Sequence, residues 1–485
     1  MQKINWLEWD KEAFEKASKE NKPILLDIHG VWCHWCHVMD NTTYFDKEIM
    51  EYVNENFIPV KVDTDKRPDV NKRYNQGGWP TTVFLTSSGQ IITGATYIPP
   101  DAFKDLMFKV IDIYKEIKVK KPEELEIGGK KLEIKEKNLD KKIVDNTLNV
   151  LMQNFDFDDG GFGFAPKFPM PDAVKLLISR YKKTKSNEFL VPVKITLDKM
   201  QGIHDDIEGG FFRYSVTQSW DEPHYEKMLE TNAGVISNYL EAYEITKNKN
   251  YKEIASKCFN YLKNNLINIE GGFYGSQDAD EEYYKADFEE RKKLKKPFID
   301  KNIYTDFNSM MLGTFFEAYN VLKDNFYKEF ALKTIKFLIK NSYDENFGMF
   351  HYFDGKNKFL PGILADNVYF IKALLEAFEA AKDNYYLEFA EKLNDFAIKN
   401  FFDEKDSAFF DKTEAEDDIG FLRFRDKPII ENSIAAENLF RLSKIKNNDE
   451  FKKMAESILL AFSEEYKNYN IHAAVYGLVV EKVLR

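Results

Sequence analysis

The chain has 485 residues, 44% hydrophobic and 31% charged, with a formal net charge of -12. That length exceeds one ordinary core, so two domains are expected, and the composition is globular rather than fibrous or disordered. The acidic balance argues against nucleic acid, whose binders carry a basic face, and no apolar run reaches the roughly 18 residues of a membrane span.

The opening "MQKINWLEWDKEAFEKASKE" holds no signal-peptide core, and only three cysteines occur, two of them in one motif. A cytoplasmic enzyme or binding protein is the expectation. No cofactor is assigned.

Residues 11–20 have helical periodicity, and "KPILLDIH" (22–29) is a short apolar run suited to a buried strand. A helical pattern resumes over 37–56, and "FIPVKVDTD" (57–65) is a second strand. "WPTTVFLT" (79–86) and "IITGATYI" (91–98) flank the turn Ser87-Ser88-Gly89-Gln90 as a hairpin, and 99–117 closes as a helix opened by proline. The order is α-β-α-β-α-β-β-α, with "WCHWCH" (32–37) between the first strand and the next helix.

That motif reads three ways. Cys33 and Cys36 have the spacing of a redox dithiol. With His37 they make the Cys-x-x-Cys-His of haem attachment, which belongs to exported proteins. With His29, His34 and His37 they make a soft-metal cluster. The redox reading uses the placement best, since a thiol at a helix N-terminus feels the positive end of the macrodipole and ionises more easily. Cys33 is then the nucleophile and Cys36 the resolving thiol, with Asp27 the buried carboxyl that accepts or returns a proton. Pro80, after Trp79, is placed for a cis peptide facing the sulfurs.

Strand, Trp-Cys-x-x-Cys, helix and a later proline before a hairpin resemble the thioredoxin fold. "CHWCHVM", "VDTDKRPDV" and "GGWPTTVFLTSSGQIITGATYIPP" resemble, more narrowly, the spermatogenesis-associated thioredoxin-domain family. By that resemblance Pro80 is the cis-proline and Asp27 the buried acid. The sequence departs from the family between Arg-Pro-Asp and Gly-Gly-Trp-Pro, where only residues 70–76 remain.

Residues 119–140 turn Lys/Glu-rich and read as a linker, giving domains at 1–118 and 141–485. Twelve helical stretches follow, at 141–153, 172–182, 188–201, 227–246, 250–265, 306–323, 326–342, 364–381, 385–400, 430–445, 449–465 and 470–484. Tight Lys/Asn/Asp links alternate with long acidic, aromatic, glycine-bearing ones such as "HDDIEGGFFRYS" and "EGGFYGSQDADEEYY". That alternation puts every long loop at one end of six helical hairpins, the plan of a closed (α/α)6 toroid. The fold class is therefore an α/β thioredoxin-like domain followed by an all-α toroid. "GGFGFAPKFP", "GGFFRYSV", "PHYEKMLETNA" and "GGFYGSQDAD" carry the family resemblance across this second part. It implies a toroid like those of N-acylglucosamine 2-epimerases and six-hairpin glycosidases.

A rim of aromatics, carboxylates and histidines points to a sugar-like small molecule. His224 with Glu226 and Asp278 with Asp280 are the candidate acid–base groups. Trp79, Arg213, Tyr214, Lys227, His204 and His351 are candidate substrate contacts, Arg213 and Lys227 for an anionic group. The Asp runs also suit plain loop capping, and Cys258 a small core residue. Three functions stand open: thiol–disulfide exchange with a protein disulfide partner, carbohydrate epimerase, isomerase or hydrolase chemistry with the front domain as regulator, or non-catalytic holdase binding.

Overall fold

The computed structural model describes residues 3–117 and 138–484, together with 119, 120, 124, 125 and 132. The linker expected at 119–140 lies largely outside them. Two compact units result, Met1–Lys130 with Glu414–Asp426, and Lys131–Thr413 with Lys427–Arg485.

The first unit runs α1 (Lys11–Glu20), β1 (Ile24–His29), α2 (His34–Asn41), α3 (Lys47–Asn56), β2 (Ile58–Asp63), α4 (Pro68–Tyr74), β3 (Thr81–Leu85), β4 (Ile91–Ala95) and α5 (Pro100–Glu116). The sheet order is β2-β1-β3-β4, with β1 parallel to β2 and antiparallel to β3. Its two faces bury separate clusters, Ile24, Leu26 and Ile28 to one side and Leu25 and Phe84 to the other. This is the alternation of a two-sided sheet covered by helices. The single helix expected over 37–56 is two. Asp46 starts the second by accepting the Ile49 N–H at 3.1 Å, while the Thr43 hydroxyl donates to Ile98 O at 2.8 Å. Both bonds hold the chain away from a continuous helix there.

Residues Glu414–Asp426 complete this unit from far along the chain. Leu422, 3% exposed, joins the cluster of Trp9, Val60 and Tyr74, and Phe421 stacks on Tyr74 at 5.3 Å. Tyr74 donates to Gly89 O at 2.9 Å and accepts from Phe421 N at 2.8 Å. Arg73 donates to the carbonyls of Phe421 and Phe424.

In the second unit the helices are α6 (Lys141–Gln153), α7 (Pro171–Thr184), α8 (Asn187–Lys199), α9 (Leu229–Thr246), α10 (Lys249–Tyr261), the short α11 (Glu281–Lys285) and α12 (Phe288–Arg291), α13 (Thr305–Leu322), α14 (Asn325–Ser342), α15 (Leu364–Ala381), α16 (Asn384–Phe401), α17 (Ile429–Lys446), α18 (Asp449–Ala461) and α19 (Ala474–Val483). Each of α7, α9, α13, α15, α17 and α19 packs on the next, and α19 packs back on α7, so six inner helices close a ring. The remaining long helices lie outside it, and α6 covers α19, joining the two ends of the unit.

The inner-to-outer turns share one construction. Lys185, Lys247, Lys323, Lys382 and Asn447 adopt left-handed backbone as C-caps, and the following Ser186, Asn248, Asp324, Asp383 and Asn448 cap the next helix. Two-residue turns of this kind force antiparallel hairpins. The inner helices therefore run parallel, and every long connection arrives at their N-terminal end. Asparagines one turn into four of them fix those connections. Asn232, Asn308, Asn367 and Asn432 accept from the backbone N–H of Phe211, Phe273, Met349 and Phe409.

Candidate functional site

Cys33 and Cys36 are joined as a disulfide at the start of α2, each 3% exposed. Cys33 is the helix N-cap, and its Sγ accepts the Cys36 N–H at 3.2 Å. Backbone N–H groups thus converge on the sulfur that becomes anionic on reduction. Gly30 is required in the loop before it, since a Cβ there would come within 2.7 Å of the Trp32 ring. Trp32 donates to Asp65 Oδ2 at 2.7 Å and meets Trp79 edge-on at 5.6 Å. The Trp79–Pro80 peptide is cis and leads directly into β3. The β1–β3 register places Asp27 opposite Thr82 and Ile28 opposite Thr81, so Pro80 stands at the end of β1 from which the dithiol loop departs. Trp35, 46% exposed, lies beside the pair and packs on Tyr97.

Asp27 is 1% exposed and faces Lys61 Nζ at 3.1 Å and the Tyr44 hydroxyl at 3.4 Å. Burial holds its carboxyl above the usual range, with Lys61 opposing. Burial drives the His29 imidazole down to about 3, so it is neutral. Cys258 is a buried thiol pushed up to about 12, inert as a nucleophile.

On the toroid rim the predicted residues separate. His224 Nδ1 lies 2.7 Å from both oxygens of Glu226, which is 1% exposed, and its ring stacks on Tyr214 at 4.7 Å. The Arg213 guanidinium packs over Tyr214 at 5.5 Å. Lys227 is fully buried, donating to Asp205 Oδ2 at 2.7 Å and Gly209 O at 2.8 Å beneath Phe212, Tyr261 and Tyr284. With Arg291 also on Asp205, that ammonium sits inside a packed ionic knot. His204 is buried against Phe211, with Nδ1 3.1 Å from Asp206, and burial lowers its affinity for a proton. Asp280 caps α11 by accepting the Tyr283 N–H at 2.9 Å. Asp278 is anchored through its backbone N–H to Phe298 O.

A second group was not singled out from sequence, apart from His351. Five of the six inner helices carry an acid in their first turn: Asp172, Glu230, Asp306, Asp366 and Glu431. Because those helices are parallel, the acids gather at the mouth of the ring. His351, 1% exposed, places Nδ1 3.0 and 3.1 Å from the two oxygens of Asp366, which also accepts the Asp306 N–H at 3.2 Å. One carboxylate oxygen each of Asp306 and Asp366 and one ring nitrogen of His351 lie within 4.8 Å of one another, the one such trio among the described residues. Burial pushes the Glu230 and Asp306 carboxyls up to about 7. The Asp306 charge adds to the first and the Asp366 charge to the second, while Arg213 and His351 respectively oppose. The available signal was the repeated acid ahead of asparagine, in "LETN", "TDFN", "ADN" and "IEN". Below the mouth the axis stays polar, with Lys175 set among Glu317, Glu241, Asp172 and Glu376. A separate groove of about 590 Å³ beside Asp206, Lys257 and Phe288 contains none of the mouth acids.

Residues 1–132 match the thioredoxin-like DsbH family, described as a protein of unknown function, DUF255. Rat spermatogenesis-associated protein 20 is 26% identical over 96% of this chain and 76% of its own length. Among solved structures, a D-mannose isomerase superposes with a TM-score of 0.57 at 13% identity, over 71% of this chain and 96% of its own. Cellobiose 2-epimerase from Bacillus thermoamylovorans gives 0.54 at 13%, over 68% and 87%. At that identity these two likenesses concern the fold of the helical toroid alone, while the thioredoxin-like region rests on the match over residues 1–132. The likeness to the spermatogenesis-associated thioredoxin-domain family runs from the dithiol through the toroid.

Proposed function

We propose that the first unit performs thiol–disulfide exchange. The observation that carries the reading is the Cys33–Cys36 disulfide at a helix N-terminus, with the buried Asp27 on the strand leading to it. In the reduced protein the Cys33 thiolate attacks a sulfur of a partner disulfide. That S–S bond breaks, a mixed disulfide forms and one partner thiolate leaves. Asp27 takes the proton of Cys36, whose thiolate attacks Cys33 and releases the second partner thiol. Two electrons pass to the partner and the Cys33–Cys36 bond is restored. With no framework disulfide among the described cysteines, a cytoplasmic site of action fits this reading. Titrating the protein through glutathione ratios, with alkylation and intact-mass counting, tests it. Two labels should vanish together at one potential between about -120 and -270 mV. Thiols that never pair, or that resist alkylation until a chelator is added, would overturn it.

A second activity is proposed for the toroid: binding and conversion of a sugar-like small molecule at the N-terminal mouth of the inner ring. The clustered acids and His351 favour it, as does the fold shared with a D-mannose isomerase and a cellobiose 2-epimerase. Calorimetric titration with D-mannose and with cellobiose tests this reading, and absence of binding by either would count against it.

A further inference from the structure

We infer that Glu230 and Asp306 are the acid–base pair of the toroid mouth. Glu230 removes the proton from the carbon beside an open-chain sugar carbonyl, and Asp306 gives a proton to the carbonyl oxygen. The inference rests on the proposed toroid activity and names both its working residues and its substrate class.

Placement comes first. Glu230 and Asp306 open α9 and α13, which are adjacent in the inner ring, so both carboxyls belong to one stretch of the mouth. Each sits two residues before an asparagine that locks a rim loop, Asn232 on Phe211 and Asn308 on Phe273, which fixes the helix starts. The roles follow from the surroundings. Glu230 is only half-buried, unlike His351, and its inward Oε2 has no hydrogen-bond partner, so the carboxyl is not committed to the fold and is left for a substrate proton. Arg213 favours its ionised form. Burial keeps a proton on Asp306 instead, with the like charge of Asp366 adding to it against His351, while one of its oxygens accepts the Phe307 N–H at 2.8 Å. Carboxyls brought to about 7 exchange protons readily at neutral pH.

The alternatives in the same rim are occupied. His224 and Glu226 satisfy each other at 2.7 Å, and His351 is almost wholly covered, so it positions Asp366 behind Asp306 rather than touching substrate. Charge sets the ligand class. The five acids of the mouth outnumber Arg213 beside Glu230 and Lys175 below, and the Lys227 ammonium is sealed against Asp205, so an uncharged sugar is suited better than a phosphorylated one.

The step balances internally. The C–H bond at C2 breaks, its electron pair forms the C1–C2 double bond of an enediol, and the carbonyl oxygen takes the Asp306 proton. Glu230 returns its proton to C2 or C1 while the O1 or O2 hydroxyl, respectively, gives its proton back to Asp306, which restores a neutral aldose or ketose and both carboxyls without oxidant or reductant.

The test incubates the full protein with D-mannose or cellobiose in D2O and follows deuterium entry at C2 by NMR, for parent, Glu230→Gln and Asp306→Asn. Calorimetry and thermal melting run in parallel. The expected result is exchange in the parent that falls at least about 100-fold in both variants, with melting and sugar binding retained. Mannose 6-phosphate should bind at least about tenfold more weakly than mannose. Exchange surviving in either variant overturns the pair and leaves the toroid reading intact. Binding without exchange in the parent also overturns it, as does exchange that needs an added divalent ion. No binding of either sugar removes the underlying reading, and the pair with it.

Discussion

Lys61 holds two carboxylates at once, with Nζ 3.1 Å from the buried Asp27 and 2.7 Å from Asp40. The Asp40 side chain is 40% exposed, so one ammonium links the hidden acid beneath the dithiol region to water.

Replacing Asp27 with Asn should slow disulfide exchange about tenfold or more, measured by insulin reduction. It should also stabilise the fold at neutral pH. A carboxyl whose folded pKa is raised binds its proton better in the native state. Stability is therefore fully present below about pH 4 and declines as pH rises through the folded value. Melting curves should show the Asn variant above the parent at pH 8 and level with it near pH 4.

Glu437 carries the opposite sign. Lys372 at 3.2 Å, Lys482 and Arg441 hold its carboxyl well below the usual range despite burial. That stability is present above the ordinary carboxylate pKa and is lost as pH falls through the folded one. Glu437→Gln should cost about 3 kcal/mol in urea unfolding at pH 7, since it strands buried cations, and much less near pH 3.

Lys227→Met should lower stability by about 3 kcal/mol, because Asp205 loses one of its two cations, keeping Arg291 and its backbone N–H donors, and the three rings lose theirs. If Lys227 instead met an anionic substrate, the variant would unfold normally and lose affinity. Chemical denaturation beside ligand titration separates the two.

How much was readable beforehand depended on the range of the interaction. The twelve long helices and their alternating links are local: a Lys in left-handed backbone and a capping Asp or Asn lie side by side in sequence. The dithiol's helix start and the Trp79–Pro80 bond were legible for the same reason. Glu230, Asp306 and Asp366 were not. An acid in a first turn is ordinary helix chemistry until a closed ring sets five of them around one mouth. The separation of α2 from α3 was hidden as well, since Thr43 reaches Ile98 across the fold. Residues 414–426 looked like another rim loop, and their place in the first unit depends on Tyr74 and Arg73, hundreds of positions earlier.

Gly89→Ala should loosen that segment. Gly89 has φ of +85°, and a Cβ would come within 2.6 Å of the Gly420 Cα. A loss of about 1–3 kcal/mol is expected, with faster tryptic cleavage at Arg423 or Arg425 than in the parent. Equal cleavage rates would show that the close glycine contact does not hold the segment.

The core of the first unit is encoded in two places, with most of the toroid's sequence between them. On a ribosome its sheet can assemble early, but the Leu422 and Phe421 side of the core stays uncovered until residues past 426 have emerged. An amino-terminal fragment ending near residue 130 would expose that apolar face permanently. A cut between the units would deliver a piece that carries this bare face and is prone to aggregate through it.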